Sequence, residues 1–595
     1  MNYRPEIDGL RALAILPVIF FHLGFNLFSG GFLGVDIFFV ISGYLITYII
    51  IIEIKEKRFS LVLFYERRAR RILPALFLIM FLSSVVGYFL MLPDAYQNFG
   101  QSLVSTTLFS NNIFSIITSD YWDLTSEFKP LLHTWSLGVE EQYYFLIPLI
   151  LLMIHNFFEK KISLILVSIF LLSFAISMFG SLNFPRINFY SLPTRAWELM
   201  IGSFLALYQM QDNNKFKNTN LFNFLGILTI FFSIIFLSKE NATPGPSTLL
   251  PTIGTALIIL SQEKKGIIYK ILTNRISILV GKMSYSLYLW HWPVLVYFRV
   301  YSKDPPLVLA KLILLLVIFI LSLLTWKYIE TPFRNKNKIS RKLIFYLTII
   351  ISVIFISYGY ILHETNGLQS RIYDNNKINL LKSDISHTYN ESANKYKKDK
   401  FDKNKKLKIL IIGDSFGRDF INMIKENYNT FNMDIIYQSK FPRCVNNMKK
   451  KNDRSIYDNS QIIIFVDTKY NKKCIKDNIL LAEDKSKDIF YVGQKDFGYN
   501  LNWIARISKQ NRGNLYNNVT EKAANVEKEF KQIVPKKNRI SIMEKITNNG
   551  KILITDGNGN LLTPDRKHLT KYGAKLIGKK VFKDSDLSYL LEKYQ

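Results

Sequence analysis

The chain has 595 residues, 49% of them hydrophobic, and 76 Lys plus Arg against 46 Asp plus Glu give a formal net charge of +30. That length exceeds what one core organises, so more than one domain is expected. The apolar and the basic residues occupy different stretches, and no basic face interleaved with exposed aromatics appears, which sets nucleic acid aside as a partner.

Up to about residue 362 the chain is a series of apolar runs; beyond it the sequence is Lys/Asn-rich and mixed, like a soluble domain. A helix needs about 20 apolar residues to cross a bilayer core. The runs predict spans at 12–29, 32–52, 73–92, 142–157, 162–180, 195–210, 221–238, 246–261, 282–300, 307–328 and 343–362, of which the sixth and eighth are short. No cleavable signal precedes the first run, which therefore reads as an anchor. The stretch 101–118 is moderately apolar, but counting it as a span would turn every later basic loop outward, so it reads as interfacial or re-entrant. Cytoplasmic loops are enriched in Lys and Arg. With the N-terminus inside, inner segments hold 23 such residues against 5 outside. The inner set includes Lys160, Lys161, Lys215, Lys217, Lys264 and Lys265. Everything after residue 363 then lies on the far side.

An ionisable residue within a span is costly and therefore a functional suspect. Asp8-Gly-Leu-Arg11 is followed by ten residues and then His22. Eleven helical steps cover roughly 16 Å, which puts Arg11 near the cytosolic face and His22 near the midplane. A guanidinium at the entrance holds a phosphate bidentately, and a neutral imidazole at depth deprotonates a hydroxyl or accepts an acyl group. Coenzyme A, with phosphates at one end and a thioester on a long arm, fits that separation. On spacing alone, a structural histidine bonded inside the bundle stands equally open. His133-Thr-Trp-Ser136 with Glu140, and Trp290-His291-Trp292-Pro293, read as structural parts of interfacial aromatic belts. Arg67-Arg68-Ala-Arg70-Arg71 reads either as a positive-inside signal or as a hold for coenzyme phosphates.

These segments together resemble the membrane acyltransferase-3 family. The resemblance is carried by Arg4-Pro-Glu-Ile-Asp8-Gly-Leu-Arg11 through His22, by Gly31-Phe-Leu-Gly34-Val-Asp36 through Ser42-Gly43, and by Phe64-Tyr-Glu-Arg67 through Pro74. It continues in His133-Thr-Trp-Ser-Leu-Gly-Val-Glu140, Ser284-Tyr-Ser-Leu-Tyr-Leu-Trp-His291 and Tyr328-Ile-Glu-Thr-Pro-Phe-Arg334, and spans roughly residues 3–335. It implies an acetyl-CoA-dependent O-acyltransferase acting on surface polysaccharide or peptidoglycan. The family's Arg-x10-His pair falls on Arg11 and His22, and its Arg-x-x-Arg motif on Arg68 and Arg71, which lifts the functional reading of His22 above the structural one.

Residues 364–406 read as a linker or loosely packed extension. Leu407 to Ile412 reads as a buried strand leading into Gly413-Asp414-Ser415 and a helix over 416–427, with further strands at 433–438, 461–466 and 488–493. A serine on the turn between strand and helix is exposed beside free backbone N–H groups, which suits a nucleophile. Near the C-terminus, Asp565 and His568 stand three apart, as on one face of a helical turn, where His568 takes a serine proton and Asp565 or a backbone carbonyl orients it. The pairing of both signals resembles the SGNH hydrolase-like domain, a three-layer α/β/α fold, over about 405–590. By that resemblance Ser415, Asp565 and His568 form a triad. The family's Gly-x-Asn-Asp motif is missing; the oxyanion donors expected here are the N–H groups of Ser415 and Gly493, with Asn471 and Asn500 weaker choices. Cys444 and Cys474 are the only two cysteines. Without histidine partners at the right spacing they make no zinc site, and no metal is expected. In an oxidising compartment they read as a disulfide, with two free buried thiols as the alternative.

The expected fold class is a polytopic α-helical membrane domain of about 10–11 helices plus an extracytoplasmic α/β/α domain. The expected divisions are 1–340, 341–363 as an additional membrane helix, 364–406 and 407–595. The expected function is transfer of acetyl from cytoplasmic acetyl-CoA, across a bacterial inner membrane and among its lipids, to hydroxyls of an extracytoplasmic glycan, with lipopolysaccharide O-antigen as the first choice and peptidoglycan or capsule as the alternatives. A tail acting as an acetyl esterase, a transporter of an acylated intermediate, and a sensor with a degenerate tail are the other readings. No internal repeat supports the transporter, and the presence of Ser415, Asp565 and His568 opposes the sensor.

Overall fold

The computed structural model describes residues 3–118, 124–158, 162–210, 219–261, 266–372, 384, 387–402, 404–583 and 585–594. Lys160, Lys161, Lys215, Lys217, Lys264, Lys265 and the linker positions 373–383, 385, 386 and 403 lie outside the described residues. The chain divides into two compact units. The first comprises Met1–Tyr88, Asn98–Phe298 and Pro306–His363; the second comprises Phe89–Gln97, Arg299–Pro305 and Glu364–Gln595.

The first unit is helical. Helix α1 (Pro5–His22) begins with Pro5 at its first position and Glu6 and Asp8 in its first turn, a proline and two acidic groups where a helix N-terminus favours them. It ends at His22. Gly24 takes φ +76°, its N–H bonds to the Phe21 carbonyl at 2.9 Å, and the Phe25 N–H reaches back to Phe20 at 3.1 Å, a left-handed cap that stops the helix. The expected span 12–29 is therefore corrected: the helix starts seven residues earlier, and His22 is its last residue. Among the described residues six helices are long and apolar enough to cross a membrane. They are Gly31–Lys55 (its α-helical part Gly34–Lys55 is α2), Leu61–Leu90 (α3), Thr134–Phe157 within α4 (Thr134–Phe158), Ile162–Asn183, Val308–Arg334 and Arg341–Glu364. Asn220–Phe236 and Pro246–Leu260 are shorter apolar helices. The remaining expected spans are 18-residue helices that carry charge: α1, α5 (Leu192–Gln209) and α6 (Ser284–Tyr301). Residues 101–118 fall in helices Pro93–Thr107 and Asn111–Thr118, separated at Phe109 with φ +52°; at 15 and 8 residues neither is long enough to span.

Helices α2 and α5 touch backbone to backbone. A Cβ on Gly43 would lie 1.9 Å from the Leu199 carbonyl oxygen, and one on Gly202 would lie 2.1 Å from that of Val40. The same pair is joined by charge: Arg195 Nη1 is 2.6 Å from Asp36 Oδ1 and 3.0 Å from Glu198 Oε1, all three groups buried. The guanidinium also lies over the rings of Phe39, Trp135 and Phe189.

The second unit is an α/β sandwich. Strands β1 (Leu407–Gly413), β2 (Met433–Gln438), β3 (Ile462–Val466), β4 (Asp488–Val492) and β6 (Arg539–Ile540) form a parallel sheet in the order β2-β1-β3-β4-β6. Strand β5 (Tyr516–Asn518) pairs antiparallel with β8 (Lys551–Leu553), which also pairs with β7 (Thr547–Asn548). Alternate residues of β1 enter two cores: Leu407, Ile409 and Ile411 pack with Phe420 and Ile577, while Leu410 and Ile412 pack with Tyr457, Ile475 and Phe530. Both faces are covered, which is why this strand reads as a continuous apolar run rather than an alternating one. Cys444 and Cys474 are joined in a disulfide, their Cα atoms 4.9 Å apart. Part of the expected loose linker is core: Tyr389 and Ala393, four apart on one face, pack with Phe420 and Ile424.

Gly43→Ala adds one methyl where a carbonyl already stands, an overpacking that costs on the order of 3 kcal/mol. The variant should lose its monodisperse peak in size-exclusion chromatography of the detergent-extracted protein, whereas the wild type keeps it.

Candidate active site

Helix α3 carries the run Arg67-Arg68-Ala-Arg70-Arg71, in which residues three apart share a face. Arg67 pairs with Glu53 at 2.8 Å and Arg70 with Glu66 at 2.9 Å. Arg68 and Arg71, on the other face, have no carboxylate partner among the described residues, and Arg68 Nε is buried without a hydrogen-bond acceptor. Both line two adjoining cavities of about 80 and 390 Å³ that also share Arg11, Ser42 and Tyr144. Arg11 Nη1 is 3.1 Å from Asp8 Oδ1. Ser136, Glu140, Tyr285 and Tyr288 complete the smaller cavity, where Ser42 Oγ donates to Glu140 Oε1 at 3.0 Å. The three arginines read from the sequence as holding an anionic donor thus meet at one place.

His22 lines neither cavity. Its ring centroid is 4.6 Å from that of Trp292 and 5.5 Å from that of His291, which is 5.7 Å from His133. His291 Nδ1 stands 2.6 Å from the Tyr288 carbonyl. A carbonyl only accepts, so Nδ1 carries the proton and Nε2 is the basic nitrogen of the neutral ring. Tyr288 joins the two places: it lines the smaller cavity, its ring is 5.3 Å from His291 and 5.5 Å from His133, and its hydroxyl is 2.5 Å from Ser136 Oγ. By sequence alone His133 and His291 read as members of aromatic belts, and Tyr288 carries no role of its own. The available signal was the Tyr288–His291 spacing of three on one helix, which puts both on one face.

In the second unit, Ser415 is the first residue of α7 (Ser415–Asn427), whose cap Asp414 accepts the Phe416 N–H at 2.8 Å. The Ser415 N–H has no acceptor within the helix. Strand β1 leads to it from the point where strand order reverses between β2 and β3, the position at which parallel sheets open a crevice. Ser415 Oγ lies 2.8 Å from His568 Nε2, and His568 Nδ1 lies 2.5 Å from Asp565 Oδ2.

Two expectations are corrected. Asp565 to His568 is not a helical turn: Asp565 Oδ1 accepts the N–H groups of Lys567 at 3.0 Å and His568 at 2.8 Å, and Arg566 takes φ +78°. The aspartate side chain supplies the acceptor that a helix backbone would have used, so the segment folds as a side-chain-capped loop. Gly493 offers no oxyanion donor, because its N–H is bonded to the Ile540 carbonyl at 2.9 Å in extending β4 along β6. Asn471 caps the helix Lys472–Asp484, and Asn500 Nδ2 donates to the carbonyls of Arg299, Val300 and Ser302.

Burial opposes the charged imidazole of His568, but the Asp565 carboxylate beside it outweighs that effect and lifts its pKa above the ordinary 6.5. Burial alone would raise Asp565; the facing His568 charge and the hydrogen bonds from His568 and Lys567 hold it well below the usual carboxylate range instead.

A helical membrane unit joined to a parallel α/β unit defines the class. Residues 4–327 match the acyltransferase domain of the acyltransferase-3 family. O-acetyltransferase OatA of Staphylococcus aureus (strain NCTC 8325 / PS 47) is 30% identical over 354 residues, covering 56% of this chain and 58% of that one. The chain thus spans less than two thirds of that relative. "Putative O-acetyltransferase SAR0937" of strain MRSA252 is 30% identical over 455 residues, covering 70% and 74%. A counterpart, "Putative O-acetyltransferase SAS0844" of strain MSSA476, is 31% identical over the same length. No solved structure matches the chain. The chain belongs to the acyltransferase-3 family.

Only neutral His568 can accept the serine proton, so labelling of Ser415 by a fluorophosphonate probe should rise with pH to a midpoint above 6.5. Asp565→Asn removes the raising partner; its midpoint should fall below that of the wild type, and its maximal labelling rate should drop by about 100-fold or more.

Proposed function

We propose that the protein is an O-acetyltransferase that takes acetyl from cytoplasmic acetyl-CoA and delivers it to hydroxyls of an extracytoplasmic glycan. One observation carries the reading: Arg68 and Arg71, turned away from the carboxylates that their neighbours use, meet Arg11 at a cavity in the family-matching unit. The planar guanidinium groups of Arg68 and Arg71, in ion-pair contact with no carboxylate among the described residues, suit the phosphates of coenzyme A. The acetyl group follows the names of the relatives, each called an O-acetyltransferase. The excess of basic residues in alternate loops supports an inside N-terminus, and the Cys444–Cys474 disulfide supports an oxidising compartment for the second unit.

In this scheme Arg11, Arg68 and Arg71 hold the donor, and the imidazole cluster at His22 assists passage of the acyl group, directly or through a carrier. Ser415 Oγ then attacks the acyl carbonyl while His568 Nε2 takes its proton, and Asp565 holds the imidazolium so formed. The N–H of Ser415 faces the developing oxyanion. Collapse expels the carrier group, which takes the proton from His568, and leaves an acetyl ester on Ser415. A sugar hydroxyl attacks that ester next, giving its proton to His568, and the serine is regenerated on proton return. O-antigen, capsule and peptidoglycan all present hydroxyls of the required kind.

In a deletion strain, mass spectrometry of the envelope glycans should show acetylation restored by the wild-type chain. It should stay below about one tenth of that level with His22→Ala or Ser415→Ala, as expected when a group that acts in the reaction is removed. Unchanged acetylation with His22→Ala ends the relay. Plain ester hydrolysis without acceptor-dependent transfer makes the second unit an esterase.

A further inference from the structure

Two buried charges in the α/β unit have no part in the scheme above. Lys495 lies in the loop after β4, two residues beyond Gly493, and Asp419 lies one turn into α7 from Ser415. Their side chains are each 1% exposed, with Nζ 2.8 Å from Oδ2. The ammonium is also 3.8 Å from the ring centroid of Phe416, the residue next to the serine. Neither charge can be left alone in such a place without a large desolvation penalty, so the two depend on each other.

The other oxygen of the carboxylate is the informative one. Asp419 Oδ1 accepts the backbone N–H of Leu569, the residue after His568, at 3.2 Å. It also accepts Asn390 Nδ2 at 2.7 Å, and that amide donates to the Ser415 carbonyl at 2.8 Å. One carboxylate therefore ties the first turn of the serine helix, the histidine loop and the segment around Asn390 to a single point. The cation from the β4 loop fixes which way that carboxylate faces.

We propose that the Lys495–Asp419 pair is the positioning element of the Ser415–His568 site: Asp419 sets the register of the serine and histidine segments, and Lys495 orients Asp419 and balances its charge beside the imidazole. This rests on reading Ser415, His568 and Asp565 as the reactive chain. Neither residue touches the reacting atoms. Charges that act on His568 come from Asp565 in its own loop, Asp419 in α7 and Lys495 in the β4 loop. Asp414, at the cap of α7, acts on Lys495, and Arg566 is held 3.6 Å from Asp496. Asp419 favours the imidazolium and Lys495 opposes it, so removing one or the other displaces the histidine in opposite directions.

The test uses the full-length protein in detergent with 4-nitrophenyl acetate, reading kcat/KM against pH in the wild type and in variants. The acid limb reports the free-enzyme histidine. Lys495→Met should move that limb up by roughly half a pH unit or more, and Asp419→Asn should move it down by a similar amount. The double variant should return to within a few tenths of a unit of the wild-type limb, and Lys495→Arg should keep it. If Lys495→Met fails to accumulate, the downward shift in Asp419→Asn and its cancellation in the double variant decide the matter. Limbs that stay put, or that move the same way in both single variants while Ser415-dependent turnover persists, overturn the positioning role alone. Turnover in Ser415→Ala equal to the wild type overturns the serine reading, and this inference with it.

Discussion

A charged group withdrawn from water needs a partner, and that requirement orders both units of this protein. Arg195 meets two carboxylates and three aromatic rings between α2 and α5. Arg67 and Arg70 each take a glutamate. Arg68 and Arg71, on the same helix, are left facing a cavity beside Arg11. The contrast separates charges that hold helices together from charges that face a cavity with no carboxylate partner among the described residues, a distinction that a count of basic residues in a loop cannot make. In the α/β unit the rule reappears around the serine, where Lys495 is answered by Asp419 and His568 by Asp565.

Helix geometry then decides what lies where in the first unit. Because α1 stops at His22, its imidazole sits at a helix end against Trp292 and His291. Arg11, three turns earlier on the same helix, lines the cavities. Tyr288 is the shared wall. Its hydroxyl meets Ser136 at the cavity, and its backbone carbonyl fixes the tautomer of His291. The basic cavity and the imidazole cluster are thereby parts of one packed region of the first unit.

The second unit builds its site by topology. A parallel sheet whose order reverses at β1 brings the serine to the carboxyl end of that strand, where the N–H of Ser415 has no acceptor within α7. The histidine arrives from a loop more than 150 residues later in the chain, held in place by the Asp565 side chain and by Asp419. Local side-chain capping replaces regular structure at the point where a histidine has to be aimed.

Much of this was legible from the sequence because the signals are local. The apolar runs announced the helices, strand β2 falls on the expected 433–438, and Gly413-Asp414-Ser415 marked its own strand-to-helix turn. The arginine spacing of three already held the two-faced arrangement of α3. What the tertiary structure alone decided are the relations between distant segments. The Gly493 N–H, free on inspection, is used by Ile540 of a two-residue strand too short to leave a pattern. Tyr389 and Ala393, in a stretch that reads as linker, close one core. His133 and His291 read as belt residues, but packing sets His291 beside His22 and His133 beside His291. Hydrophobic periodicity records which face of an element is buried, but not what it is buried against; that depends on which segments meet, and only the folded chain specifies those meetings.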